Sequence, residues 1–182
     1  MTRRAKAAIA LLSFALGIAA AAPAADARSS GAAWAAFARG DYVKAATLLT
    51  PMAQHGHARA MTVLGYMYEN GLGVPQSYEM AVDLYARAAE HGDPTAQHLF
   101  GLAYDKGHGV PTDPVLAYKW LSLAAGAASA RERGPYLRIR DAVASKMSSD
   151  QIVDGQRLAV QWQQGLRGQT IVDGQHGDLS VF

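Results

Sequence analysis

A 36-residue internal repeat limits what this chain can fold into more than any other feature of its sequence. Shifting the sequence by 36 lays Ala60, Gly65, Tyr68, Gly71, Gly73, Val74, Pro75, Ala81, Ala88 and Ala89 on identical residues at Ala96, Gly101, Tyr104, Gly107, Gly109, Val110, Pro111, Ala117, Ala124 and Ala125. Periods of this length mark stacked helical hairpins, because one hairpin cannot bury its apolar stripe alone and stacked neighbours can. Within the unit, Ala60, Leu64, Met67 and Tyr68 recur at helical spacing on one face. Ala81, Leu84, Tyr85 and Ala88 do the same in the second half, so each unit reads as two antiparallel helices.

The punctuation agrees with that reading. Asn70-Gly71-Leu72-Gly73-Val74-Pro75 and Lys106-Gly107-His108-Gly109-Val110-Pro111 supply glycine for left-handed backbone at a helix end, then a proline that cannot continue the helix. Asp41, Ser77 and Asp113 stand in register where the second helix of each unit needs an N-cap, and Pro114 suits a first helical position. The same register runs backwards through Ala45, Leu48, Ala53 and Gly56, with Trp34 and Phe37 on a short preceding helix that ends near Gly40. That first unit lacks the double-glycine loop, as the terminal unit of an array is free to do.

These residues resemble the Sel-one-like repeat family, relatives of the tetratricopeptide repeats. The unit matches as alanine, leucine-glycine, tyrosine, glycine-x-glycine-valine, then an alanine and an aromatic followed by alanine-alanine. The resemblance covers about residues 32 to 128, with Phe100 where leucine is usual, Tyr118-Lys119-Trp120 as the aromatic stretch, and only two complete units. Met147-Ser148, Gln151-Ile152, Gln156, Leu158-Ala159 and Trp162 resemble the closing helix of exported bacterial members. The resemblance implies an all-α superhelical solenoid of antiparallel hairpins that assembles or regulates other proteins.

The expected organisation is a signal peptide over 1–27 and a repeat domain over 28–163, with units at about 32–57, 58–93 and 94–128. Closing helices are expected at about 134–163, and a mobile tail at 164–182. Arg3, Arg4 and Lys6 form a positive start, an alanine-rich apolar run extends from Ala7 to Ala22, and Ala25-Asp26-Ala27 offers a small-x-small cleavage site, with Ala22-Pro23-Ala24 as a second. Export implies a periplasmic or secreted protein with no membrane span once the signal is gone. Gly134-Pro135 is expected to open a helix reaching about Met147, and Ser148-Ser149-Asp150-Gln151 a capping box for one reaching about Gln163. The glycine-rich stretch after Gly165 shows little periodicity. Within it, Ile171-Val172-Asp173-Gly174-Gln175 repeats Ile152-Val153-Asp154-Gly155-Gln156.

Charge follows the same division. The chain has 17 basic and 15 acidic residues, and removing 1–27 takes three of the first and one of the second, leaving 14 of each. A balanced mature chain gives no general electrostatic reason to bind nucleic acid. One local cluster, Arg131, Arg133, Arg138, Arg140 and Lys146, is interrupted by Glu132 and Asp141 and reads as a solvated helix face. There is no cysteine, so neither disulfides nor thiolate chemistry are open to the chain.

Catalytic patterns are missing. No serine is followed three places later by lysine, no Gly-x-Ser-x-Gly occurs, and Gly71-x-Gly73 and Gly107-x-Gly109 run into Val-Pro instead of completing a phosphate cradle. An enzyme of cell-wall or lactam chemistry, and a plain structural envelope protein, are the rival readings. His55 and His57, with His91 one period on, lack a third ligand at metal-site spacing, so they read as repeated polar turns. No catalytic residue, metal or cofactor is assigned. The residues that vary between copies point to binding. Arg59, Thr62, Tyr66 and Glu69 against Thr95, His98, Leu102 and Asp105 form one stripe on the first helix, the helix that usually lines the concave face of a solenoid. Arg59, Thr62, Tyr66, Thr95, His98 and Leu102 are therefore the expected contacts for a protein or peptide partner.

Overall fold

The computed structural model describes the backbone of residues 22–175 and the side-chain surroundings of 30–165. Among these, the chain is helical throughout: α1 (Ala22–Ala38), α2 (Tyr42–Gln54), α3 (Ala58–Asn70), α4 (Tyr78–Glu90), α5 (Pro94–Lys106), α6 (Pro114–Ala127), α7 (Ala130–Ala144) and α8 (Ser149–Gln175). Consecutive helices pack as antiparallel neighbours from α1 to α7, and α8 packs on α6. The all-α solenoid expected from the repeat is the observed architecture.

The caps stand where the register puts them. Asp41 accepts from the Lys44 amide, Ser77 from Met80, and Asp113 from Val115 and Leu116, each satisfying amides the first turn leaves without a helical partner. At the other end of the first helices Gly71 and Gly107 have φ of 65° and 73°, and the Leu72 and His108 amides reach back to the Met67 and Ala103 carbonyls. The second glycine of each loop has a different task. Gly73 lies against the first residues of α2, where an added Cβ would come within 2.6 Å of the Val43 nitrogen. Gly109 lies in the same way on α4, 2.6 Å from the Tyr78 carbonyl carbon. Each loop thus seats its hairpin on the preceding unit, backbone against backbone.

Inside a unit the helices cross at a glycine. A Cβ on Gly65 would meet the Tyr85 ring at 2.7 Å, and one on Gly101 would meet Leu121 Cγ at 2.8 Å, so the first helix can lie close to the second only without a side chain there. One apolar core runs from Ala33 and Ala36 through Leu49, Met61, Met67, Tyr85 and Phe100 to Trp120 and Leu123. Tyr85, though buried, donates its hydroxyl to Glu69 at 2.8 Å, and burial and then that carboxylate push its ionisation upward.

Three expectations about the closing region change. α7 starts at Ala130, not at Gly134, because Ser129 supplies the N-terminal boundary: its carbonyl accepts the Glu132 and Arg133 amides and its hydroxyl bonds the Glu132 carboxylate at 2.6 Å. Pro135 falls inside the helix. α8 does open at the Ser148 box, with Ser148 N donating to Gln151 Oε1 at 2.9 Å and Gln151 N to Ser148 Oγ at 3.3 Å. It then continues to Gln175, so the helix passes Gln163 and includes the second copy of the pentapeptide. Of the segment expected as a tail, 176–182 lie outside the described residues, as do 1–21 of the expected signal. The expected cut after Ala27 falls within α1 and would leave Arg28 to Ala38, about three turns. Among the described residues no helix is long and apolar enough to cross a membrane.

Candidate protein-binding face

The starts of α3, α5 and α7 lie 36 residues apart, with His57, Asp93 and Ser129 as their N-caps. α7 is therefore the first helix of a further, degenerate unit. Side-chain contacts tie successive first helices together: Phe37 of α1 to Tyr66 of α3 with ring centroids 6.5 Å apart, and His98 of α5 to Tyr136 of α7, stacked at 4.2 Å. The first helices stand side by side, and one register position repeats across all of them.

The six expected contact residues divide on this frame. Arg59 is exposed, with its guanidinium 4.7 Å from the centre of the Trp34 ring. Tyr66 is 42% exposed against Phe37. Thr95 is exposed beside the Tyr136 hydroxyl, and Leu102 is half-buried. Thr62 is a correction. It is only 4% exposed and its hydroxyl bonds back to the Ala58 carbonyl at 3.0 Å, so it presents nothing to a partner. His98 is half-buried, with Tyr136 stacked over one face of its ring. Thr62 and His98 hold the same register position, which in the second copy faces Tyr136 of α7. Burial and then the charge of Lys106 push the His98 pKa down, and its Nδ1 is buried without a hydrogen-bond partner.

The register also adds residues. Arg59, Thr95 and Arg131 hold one position, and Tyr66, Leu102 and Arg138 another. Arg131 and Arg138 stood in the sequence only as a solvated basic cluster, and Trp34 and Phe37 only as markers of the first helix. The signal that links the arginines to the stripe is Ser129-x-x-Glu132, a capping pattern one period after Asp93. The remaining members of the basic cluster are engaged: Arg140 pairs with Asp141 at 2.6 Å, Lys146 with Asp105 at 3.6 Å, and Arg133 reaches the Ala128 carbonyl at 3.4 Å.

The histidines of the hairpin turns have a structural task. His55 Nδ1 contacts the Pro51 carbonyl at 2.7 Å and His91 Nδ1 the Arg87 carbonyl at 2.8 Å, one arrangement repeated in two units. In each case the same carbonyl also accepts the histidine's own backbone amide, so ring and backbone close the helix end together. Among the described residues no group of three His, Asp or Glu is placed to hold a metal ion.

Comparison with known proteins accords with this geometry. The Sel1 repeat family matches residues 58–93 and 94–129. The structure of c5321, a protective antigen present in uropathogenic Escherichia coli strains and displaying an SLR fold, superposes with a TM-score of 0.70 at 21% identity, covering 86% of this chain and 34% of that one. A Sel1 repeat protein from Oxalobacter formigenes aligns at 35% identity and a TM-score of 0.48 over 48% of this chain and 25% of that one. This chain thus spans about a third or less of the length of the structures it matches. The comparison with curated proteins gives no match. Residues 58–129 are two Sel1 repeats, and the hairpins around them continue the same solenoid.

Proposed function

We propose that this protein is an exported, non-catalytic scaffold of the cell envelope that holds a protein partner against the aligned face of its first helices. Sel1 repeats generally mediate protein interactions. The observation that carries the reading for this face is Tyr66, a large aromatic left 42% exposed on the outward side of α3, at a position that differs between copies whose alanine, glycine and loop positions repeat. Aromatic side chains in such positions dominate contact energies when a partner covers them. The export half of the proposal rests on the positive start, apolar run and cleavage site over 1–27.

Two measurements test it. Mass spectrometry of the native N-terminus is expected to find the chain starting near Ala25 or Arg28, and an intact Met1 would remove the envelope. Affinity capture from the envelope fraction with the full-length product as bait is expected to weaken about five- to thirtyfold in Tyr66→Ala, while Lys44→Ala, exposed on α2, binds as the parent does. Equal capture by Tyr66→Ala and the parent would exclude this face.

A further inference from the structure

The placement of α7 gives the first-helix face two chemically different ends. At the α1 end stand Trp34, Phe37 and Tyr66, a set of aromatic rings with Arg59 over one of them. At the α7 end stand Arg131 and Arg138, both exposed and seven residues apart on one side of the helix. Among the described residues, the carboxylates of α3, α5 and α7 and of their caps each have a hydrogen-bond or ion-pair partner. Glu69 accepts from Tyr85, Asp93 caps α5, Asp105 pairs with Lys146, Glu132 bonds Ser129, and Asp141 pairs with Arg140. Among the described residues, Arg59, Arg131 and Arg138 have no carboxylate partner. α7 carries Arg131, Arg133, Arg138 and Arg140 against Glu132 and Asp141, so its end of the face keeps a net positive charge, complementary to anionic side chains.

We propose that this face takes an extended acidic peptide segment, its carboxylates on Arg131 and Arg138 and an aromatic residue against Trp34, Phe37 and Tyr66. The inference rests on the docking face proposed above and adds the chemistry of the partner. Four first helices stand across the face, so the segment that reaches from Tyr66 to Arg138 is an extended one, rising about 3.3 Å per residue. Arginine suits the task, since its planar fork binds carboxylate in two places at once.

The test uses a fluorescein-labelled peptide of about nine residues with tryptophan at one end and glutamates at the other, and a counterpart with lysine for each glutamate. Binding to the purified chain is followed by fluorescence anisotropy at low and raised salt. The acidic peptide is expected to bind at least about tenfold more tightly than the lysine peptide, and to lose about tenfold in the Arg131→Glu/Arg138→Glu double variant and again as salt rises. Both arginines are exposed and unpaired, so the variant is expected to melt as the parent does. Charge reversal of Arg157 on α8, paired with Asp154 away from this face, is expected to change nothing. Equal binding of the two peptides, or of parent and double variant, overturns the acidic partner while leaving the Tyr66 capture result, and with it the scaffold, untouched. No binding of either peptide overturns the proposal as well.

Discussion

The joints inside the array and the joint that closes it are built from different materials. Between α3–α4 and α2, and between α5–α6 and α4, a glycine loop lies directly on the backbone of the preceding unit, with Gly73 and Gly109 at the contact. At the closing end no such loop exists, and side chains do the joining. Tyr136 stacks on His98, Trp162 packs edge-on to Trp120 at 5.8 Å and donates Nε1–H to Glu90 at 2.7 Å, and Gly155 of α8 approaches Tyr118 of α6. Ala117, Leu121 and Val143 make a small separate core there, apart from the long one. A backbone joint tolerates almost no added volume but any neighbouring side chain. A side-chain joint depends on particular rings and on their protonation.

The largest expected effect lies in the interior joint. Gly109→Ala combines positive φ with overlap on the Tyr78 backbone, and is expected to lower stability by about 2 to 4 kcal/mol. Gly107→Ala, where the near atom is a Thr112 methyl at 3.0 Å, is expected to cost about 1 kcal/mol. Thermal melts of the two variants check the order, and equal melting temperatures would dissolve the distinction between the two glycines. The closing joint comes next. Trp162→Ala is expected to cost about 2 kcal/mol, and Trp162→Phe, which keeps a ring on Trp120 but loses the bond to Glu90, about 1 kcal/mol. A Trp162→Ala loss exceeding that of Gly109→Ala would reverse the comparison.

The smallest effect is a pH slope confined to the closing end. The His98 pKa lies below the ordinary 6.5, so the folded state binds fewer protons there than the unfolded chain. The stabilisation is fully present above that ordinary value and is lost as pH falls through it toward the folded pKa. Melting temperature is expected to decline on going from about pH 7.5 to about pH 5, and the decline to be shallower in His98→Gln. Parallel curves for parent and variant would take His98 out of the closing joint.

The repeat made the hairpins legible because its signals are local: an apolar stripe at helical spacing, a cap at Asp41, Ser77 or Asp113, a glycine at 71 or 107. α7 escaped because Gly134-Pro135 resembles a helix start, whereas Pro135 lies in the second turn, where the helix forgoes one hydrogen bond. The stripe was half legible for a similar reason. Variation between copies located a stripe on α3 and α5, yet nothing local distinguishes Tyr66, left open, from Thr62, which is buried, or His98, covered on one face by Tyr136.

The sequence by itself determined the number and kind of hairpins and the loops that join them, since period, caps and left-handed glycines each act within a few residues. Only the tertiary structure decided that Gly73 and Gly109 are the seats between units and that α7 extends the face of the first helices with Arg131 and Arg138. It likewise decided that Tyr136 closes over His98. Those outcomes depend on which surfaces of distant helices meet, and that is settled by packing across the stack.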